Sequence, residues 1–298
     1  MQGSKHFAFV AILGATNVGK STLVNRLVGQ KVSIVSPKVQ TTRSRIRGLI
    51  NEGDTQLVLV DTPGIFRPTR RLDRAMVASA WTEADESDLR LLVVDGSRGL
   101  DSDTITIMDT LKKNHQKAIL VLNKTDLTTP DKLFPLTATL NQSGLFTDTF
   151  PISAQTGDNV DSLKQYLINR APLGAWLFPD DNVSDLPDRL FAAEVTREKL
   201  FLHLQQELPY MTTVETTQFQ EQQNGIRIEQ TIYVARPGQR SIVLGRSGQM
   251  IKKIGAAARY EMSKMFDRPV HLFLFVKVRE NWQDDPAHYT DWGLDFNA

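Results

Sequence analysis

The chain has 298 residues, 41% hydrophobic and 23% charged, with 35 Lys and Arg against 34 Asp and Glu. This composition excludes a disordered protein, a collagen-like repeat and a long coiled coil. At roughly 100–200 residues per domain, the length predicts two domains. The sequence has no cysteine, which excludes disulfides, thiolate metal sites and Cys nucleophiles. No apolar run reaches the roughly 18 residues of a membrane span, so we expect a cytoplasmic protein.

Short apolar runs alternate with helix-like stretches in the first half of the chain. The apolar runs predict buried strands at 7–13, 57–61, 89–95 and 117–123. Helical patterns cover 20–27, 70–83, 102–114, 131–141 and 160–169. Strands that alternate with helices pair in parallel through right-handed crossovers. Residues 1–172 are therefore predicted to form an α/β domain with a doubly wound, mostly parallel sheet.

The composition changes between residues 173 and 187, where prolines, acids and turn formers predict a linker. After the linker, the patterns give helix, strand, strand, helix, helix and strand. Asn224-Gly225 is a hairpin signal between the first two of these strands. Residues 188–298 are therefore predicted to be a second, α+β domain that ends in a tail.

The strongest motif is Gly14-Ala-Thr-Asn-Val-Gly19-Lys20-Ser21, which stands between a predicted strand and a predicted helix. The two glycines let the backbone wrap a phosphate, and the helix N-terminus faces the anion. Lys20 is predicted to bridge the β- and γ-phosphates, and the Ser21 hydroxyl to bind Mg²⁺. The other predicted nucleotide contacts of this segment are Ala15, Thr16, Asn17, Val18, Gly19 and Thr22.

Three further segments follow predicted strands. In the run Asp61, Thr62, Pro63, Gly64 and Ile65, the Asp61 carboxylate can hold a Mg²⁺-bound water and the Gly64 N–H can contact the γ-phosphate. In the run Asn123, Lys124, Thr125 and Asp126, the last carboxylate can accept the two N–H donors of guanine, which adenine lacks. Ser153 and Ala154 can meet guanine O6 through the backbone. Ligands of open α/β sheets bind at the carboxyl ends of strands, so these loops predict one GTP site.

On these motifs, residues 5–172 resemble the small GTP-binding proteins. The resemblance implies GTP and GDP binding with Mg²⁺ held by Ser21, Asp61 and Thr42, the last chosen over Thr41 because it directly precedes Arg43. Lys20, Thr42 and Gly64 are the expected catalytic groups. Ile65 and Phe66 follow Gly64 where Ras-type proteins have a water-orienting Gln, so we expect slow intrinsic turnover. Asn17 resembles an asparagine that coordinates K⁺ in some of these GTPases.

A second glycine loop, Gly245-Arg246-Ser247-Gly248, lies between two predicted helices. Ten basic and three acidic residues between 236 and 280 give this region a charge of +7. Lys252 and Lys253 follow the loop and are predicted phosphate contacts together with its four residues. The loop and the order of elements resemble a type II KH module, which binds single-stranded RNA.

The two halves together resemble the family of bacterial ribosome-assembly GTPases that carry a C-terminal KH domain. Gln40-Thr-Thr-Arg43 and Glu194-Val-Thr-Arg-Glu198 are matching stretches, whereas the tail after Trp282 departs from the pattern. The resemblance implies binding to the 3′ end of small-subunit ribosomal RNA, association with the small ribosomal subunit and peripheral contact with the inner face of the cell membrane. We expect a monomer.

Two other functions stay open on the sequence. One is a signalling GTPase that acts without RNA and whose second domain docks proteins. The other is a scaffold that binds nucleotide without useful turnover, for which Ile65 is the argument.

Overall fold

The computed structural model describes residues 4–298, and these divide into two compact units. Unit 1 comprises the described residues up to Val35, Thr42–Asp185 and Tyr289–Ala298. Unit 2 comprises Ser36–Thr41 and Leu186–His288.

Unit 1 is built on a six-stranded sheet in the order β2-β3-β1-β4-β5-β6. All neighbouring strands are parallel except β2 and β3, which are antiparallel. The strands are β1 (His6–Leu13), β2 (Ile46–Glu52), β3 (Thr55–Asp61), β4 (Leu89–Asp95), β5 (Ala118–Asn123) and β6 (Phe146–Pro151). The order reverses direction beside β1, so the carboxyl ends of β1, β3, β4 and β5 share the edge where such sheets bind ligands.

Helices cover both faces of this sheet, as doubly wound folds require. They are α1 (Lys20–Val28), α2 (Arg71–Glu86), α3 (Ser102–Lys113), α4 (Pro130–Asn141) and α5 (Val160–Arg170). α1 and α5 pack on one apolar core, and α2, α3 and α4 pack on the other. Alternate residues of β1 serve the two cores, since Val10 and Ile12 face the first while Ala11 and Leu13 face the second.

Unit 1 differs from the sequence prediction at its edge. Strand β2 was not predicted, and it forms a hairpin with β3 through Gly53, whose φ is +59°. Residues of the segment 173–187 run along this sheet, with Gly174 N–H donating to Lys5 O at 3.0 Å and Leu49 N–H donating to Val183 O at 2.9 Å. This segment belongs to unit 1 as far as Asp185, and unit 2 resumes at Leu186.

Unit 2 has a three-stranded sheet in the order β7-β8-β9 (Thr212–Gln222, Gly225–Val234 and Val270–Val278). β7 and β8 are antiparallel, as the Asn224-Gly225 signal predicted, and β8 and β9 are parallel. The helices are α6 (Asp188–His203), α7 (Pro237–Leu244) and α8 (Gln249–Met265). They bury the apolar side of the sheet, including Ile228, Ile232 and Val276.

The predicted fold class, a P-loop α/β domain followed by a type II KH domain, is confirmed. Two segments lie outside the predicted domain boundaries: Ser36–Thr41 clusters with unit 2, and the tail residues Tyr289–Ala298, in which α9 (Pro286–Asp291) ends, cluster with unit 1. Within residues 4–298, no helix combines the length and the apolar character needed to cross a lipid bilayer.

Candidate functional site

The loop between β1 and α1 requires glycine at both ends. Gly14 has φ +151°, and a Cβ there would lie 2.5 Å from Val93 O. Gly19 has φ +99°, and a Cβ there would lie 2.3 Å from Asn123 Nδ2. Contacts this short force neighbouring atoms to move, so the loop closes tightly only with these two glycines. The backbone N–H groups of this loop and the N-terminus of α1 form an anion-binding concavity.

Lys20 lies inside this loop. Its Nζ donates to Gly14 O at 3.0 Å and to Ala15 O at 2.9 Å. Burial lowers the pKa of Lys20 from 10.5 to about 8, although the Asp61 carboxylate opposes the shift. The ammonium is therefore mainly charged at neutral pH, and a bound phosphate would stabilise that charge.

Three predicted metal-binding groups meet beside the loop. Ser21 Oγ donates to Asp61 Oδ2 at 2.7 Å and lies 3.0 Å from Thr42 Oγ1. Burial raises the pKa of Asp61, against the hydrogen bonds and charge around it. Its Oδ1 is buried with no hydrogen-bond partner. An orphaned carboxylate oxygen beside two hydroxyls is a set of hard oxygen donors that suits Mg²⁺.

The structure also separates the two candidate threonines. Thr41 Oγ1 donates to Lys38 O at 2.7 Å and lies 2.6 Å from Ser36 Oγ, so its hydroxyl serves its own loop. Only Thr42 shares hydrogen bonds with Ser21 and Asp61. No group of three or more His, Cys, Asp or Glu that could hold a metal occurs in residues 4–298. The candidate metal site is the oxygen cluster at Asp61, on the contacts of Ser21 and Thr42.

Sequence reasoning missed Ser33, whose Oγ donates to Asp61 Oδ2 at 2.5 Å. The Asn25 side chain fixes this serine, because its Oδ1 accepts from Val32 N–H at 2.8 Å and from Ser33 N–H at 2.9 Å. Ser33 lies in a polar segment without periodicity, and no local signal marks it.

The segment after β3 packs against the phosphate loop. Thr62 Oγ1 donates to Ile12 O at 2.7 Å, and a Cβ at Gly64 would lie 2.7 Å from Thr16 Cγ2. Ile65 N–H donates to Gly14 O at 3.1 Å, while the side chain of Ile65 is buried in the core. The residue after Gly64 thus contributes backbone to this site and no polar side chain.

The loops predicted to bind the base are joined by one residue. Asn123 Nδ2 donates to Val18 O at 2.8 Å, and Asn123 Oδ1 accepts from Ala154 N–H at 2.9 Å. Thr125 N–H donates to Ile152 O at 3.2 Å, and Asp126 is exposed in the turn that follows. Asn123 therefore ties the phosphate loop, the Asp126 loop and the Ser153-Ala154 loop together. Thr22 and Ala154 also border a cleft of about 340 Å³.

Asp95, at the end of β4, was not predicted. Lys124 Nζ donates to Asp95 Oδ2 at 2.7 Å and to Asn17 O at 2.7 Å. Burial acts to raise the pKa of Asp95, but hydrogen bonds from Lys124 and Ser97 hold it below its usual value. The anchored Lys124 stem thus spans from β4 to the phosphate loop, in the place where a base stacks in the predicted site.

The second glycine loop, in unit 2, is more open. Gly245 has φ +71°, and a Cβ there would lie 2.7 Å from Met250 Cβ. Gly248 has φ +74°, but a Cβ there would meet only Ile251 Cγ2 at 4.0 Å. Gly248 is thus required for its left-handed backbone rather than for lack of space. Four predicted RNA contacts lie exposed here: Arg246, Ser247, Lys252 and Lys253.

Comparison with known proteins matches both units. Residues 9–124 match the family model described as 50S ribosome-binding GTPase, and residues 207–283 match the KH domain model. GTPase Era of Sinorhizobium medicae is 55% identical over 97% of this chain and 93% of its own, and GTPase Era of a Bradyrhizobium species is 54% identical over 99% and 96%.

Two solved structures cover 97% of this chain and 99% of their own at 36% identity. One is Era in complex with MgGDPNP and nucleotides 1506–1542 of 16S ribosomal RNA, with a TM-score of 0.92. The other is an Aquifex aeolicus Era variant bound to GDP·AlF₄⁻, with a TM-score of 0.91. The predicted resemblance is confirmed, and this chain belongs to the Era family of GTPases.

Proposed function

We propose that this chain binds and hydrolyses GTP with Mg²⁺, and binds single-stranded RNA at the 3′ end of small-subunit ribosomal RNA during assembly of the small ribosomal subunit. The observation that carries the proposal is the joining of the phosphate loop, the Ser21–Thr42–Asp61 oxygen cluster and the Asp126 loop at one sheet edge. The KH fold of unit 2 supports the RNA part. Cytoplasmic location, peripheral membrane contact and a monomeric state stay predictions.

The nucleotide site divides its tasks among its residues. Backbone N–H groups of the phosphate loop bind the β-phosphate, Lys20 bridges the β- and γ-phosphates, and the Gly64 N–H contacts the γ-phosphate. Ser21 and Thr42 would hold Mg²⁺ directly and Asp61 would hold one of its waters. The ion would neutralise the negative charge that develops on the β-phosphate of the leaving GDP. Thr42 would hold the ion only while a triphosphate is bound, and in this way it would distinguish GTP from GDP.

Matched threonine variants test the metal site. Thr42→Ala is expected to raise the Mg²⁺ concentration needed for half-maximal phosphate release. Thr41→Ala removes a hydroxyl that bonds within its own loop and is expected to leave that concentration unchanged. Equal Mg²⁺ dependence in the wild type and Thr42→Ala would remove Thr42 from the site.

Intrinsic turnover is expected to be slow, because the side chain of Ile65 is buried and cannot orient water. The resemblance of Asn17, which has φ +62° in the loop, to an asparagine that coordinates K⁺ in some GTPases is the ground for a K⁺ site beside the phosphates. Phosphate release is expected to be faster in K⁺ than in Na⁺, with the difference lost in Asn17→Ala. Equal rates in both salts would refute the K⁺ site and leave the GTPase assignment intact.

The RNA site is tested by adding a charge at the second loop. Gly248→Asp places a carboxylate at the N-terminus of α8, where the RNA backbone is expected, and should abolish RNA binding while GTP affinity is retained. Gly144→Asp is the matched control, since Gly144 also has a positive φ (+66°) and open space, and lies on an exposed loop of unit 1. If Gly248→Asp binds RNA as the wild type does, unit 2 would be a protein-docking module.

A further inference from the structure

Arg26, an exposed residue of α1, holds the loop that the proposed site places at guanine O6. This loop, residues 153–158, is called the base loop below. The Nε of Arg26 donates to Ala154 O at 3.2 Å, and its Nη2 donates to Gln155 O at 2.5 Å. One planar guanidinium thus binds two successive carbonyls, which a rigid fork of donors can do and a single ammonium cannot do equally well. The partners are 128 and 129 positions apart in the chain, so no local pattern predicts the contact.

The base loop is a closed turn that keeps these two carbonyls together. Gly157 N–H donates to Ser153 O at 2.8 Å, and Ser153 N–H donates to Asp158 O at 3.1 Å. Gly157 has φ +92°, and a Cβ there would lie 3.5 Å from Arg26 Nη1. The guanidinium therefore lies against the turn as well as against its carbonyls. The turn can move away from α1 only if these contacts break.

Arg26 also fixes the direction of the peptide groups beside Ala154. In a trans peptide group the C=O and the N–H point in opposite directions. Since Ala154 O is directed at Arg26, the N–H of Gln155 is directed away from that side chain. On the other side of the residue, Ala154 N–H donates to Asn123 Oδ1 at 2.9 Å. Both peptide groups of Ala154 are thus held, one by Arg26 and the other by Asn123.

The same part of α1 supports the metal side of the site. Asn25, the residue before Arg26, accepts from Ser33 N–H, and the Ser33 hydroxyl donates to the carboxylate of the metal site. The helix begins with Lys20 and Ser21 at the phosphate loop. α1 is therefore the frame of the nucleotide site. Its first residues carry the phosphate and metal groups, and residues 25 and 26 support the loops on either side.

We propose that Arg26 is a positioning residue that determines how long a guanine nucleotide stays bound. The proposal rests on the proposed GTPase function. The two hydrogen bonds of the guanidinium go to the base loop, so Arg26 acts on the base and not on the phosphates. A base loop released from α1 loses its fixed placement at guanine O6. Removal of the guanidinium should therefore speed nucleotide release and leave the chemistry at the γ-phosphate in place.

The test compares Arg26→Ala with Arg90→Ala in the full chain. Arg90 is a matched control, because it also donates to two successive carbonyls, Ala84 O at 2.6 Å and Asp85 O at 3.4 Å. It lies at the start of β4, at the opposite edge of the sheet from the nucleotide loops. Dissociation of GDP that carries a fluorescent group on its ribose is measured after excess unlabelled GDP is added.

Arg26→Ala should release the labelled GDP about tenfold faster than the wild type, because two charge-assisted hydrogen bonds are lost. Arg90→Ala should release it at the wild-type rate. Arg26→Lys keeps the charge but holds only one carbonyl well, so its rate should lie between those of the wild type and Arg26→Ala.

Steady-state phosphate release separates positioning from a general loss of structure. Because intrinsic turnover is expected to be slow, KM reports on binding. Arg26→Ala should raise KM for GTP by about the same tenfold and leave kcat within about twofold, since binding lost equally in the ground and transition states changes KM alone. Inosine triphosphate, which keeps O6 but lacks the 2-amino group that Asp126 contacts, should lose affinity by the same factor.

Equal release of GDP by the wild type and Arg26→Ala would overturn the proposal. A release by Arg90→Ala as fast as that by Arg26→Ala, or a fall in kcat as large as the rise in KM, would overturn it as well. Failure of the proposed function looks different, because the wild type itself would then bind no guanine nucleotide or release no phosphate from GTP.

Discussion

The two glycine loops of this chain both begin a helix, but they are built differently. A Cβ at either Gly14 or Gly19 would strike atoms at 2.5 Å or less, and the loop encloses a buried lysine. In the second loop a Cβ at Gly245 would also be tight, at 2.7 Å from Met250 Cβ, but a Cβ at Gly248 would meet only Ile251 Cγ2 at 4.0 Å, and the lysines that follow are exposed. A closed loop suits a compact polyphosphate whose charge is met by fixed groups. An open loop suits a polymer backbone that is held mainly by screened charges.

The sharpest test of this difference adds one methyl group to each loop. Gly19→Ala should lower nucleotide affinity by about a hundredfold or more, because backbone strain of ~1–3 kcal/mol is added to the displacement of Asn123. Gly248→Ala adds only a left-handed strain of about 1–2 kcal/mol, so RNA affinity should fall by about thirtyfold or less. Calorimetry for nucleotide and fluorescence anisotropy for RNA measure the two. A larger loss at Gly248 than at Gly19 would contradict the comparison.

Selection of guanine in the nucleotide site depends on Asp126. Asp126→Asn should shift preference from GTP toward xanthosine triphosphate, because Asn offers a donor to the O2 that xanthine carries. Loss of the charged hydrogen bonds to guanine should cost about 1.5–3 kcal/mol. Asp131→Asn, an exposed carboxylate at the start of α4, is the matched control. Unchanged GTP affinity in Asp126→Asn by calorimetry would refute the base site.

The phosphate loop also predicts a pH dependence of GTP binding. In the nucleotide-free protein, Lys20 has a pKa of about 8 and is mostly protonated below that pH. A bound triphosphate favours the protonated form. GTP affinity should thus be constant below pH 8 and fall above it, by up to about tenfold per pH unit for one proton taken up. Lys20→Arg, which stays protonated, should bind without this decline. Parallel profiles for the wild type and Lys20→Arg between pH 7 and 9 would exclude the effect.

The open loop predicts a salt dependence instead. Lys252→Ala combined with Lys253→Ala should weaken binding to all RNA sequences and reduce the slope of log affinity against log salt. Two lost phosphate contacts on a single strand should change that slope by about 1.4. Sequence preference should persist, since phosphate contacts position while base contacts specify. Anisotropy at several salt concentrations measures both, and an unchanged slope would place these lysines away from the RNA.

The parts of the fold that depend on local sequence pattern could be predicted from the sequence. Buried parallel strands such as β4 read as continuous apolar runs, and each motif after a strand had to reach the same sheet edge. Strand β2 was missed because an edge strand beside a polar loop shows neither a long apolar run nor a clear alternation. Ser33 and Asp95 were missed because their roles arise from contacts with residues distant in sequence, Asp61 and Lys124. The packing of the tail on α2 is likewise a long-range contact that no spacing encodes.

The proposed function joins GTP turnover by unit 1 to RNA binding by unit 2 in assembly of the small ribosomal subunit. Phosphate release from GTP, measured for the wild type and Gly248→Asp with and without small ribosomal subunits, tests it most directly. We expect slow release by both proteins alone, and faster release with subunits only in the wild type. GTP hydrolysis that subunits leave unchanged in the wild type, or accelerate equally in Gly248→Asp, would contradict it.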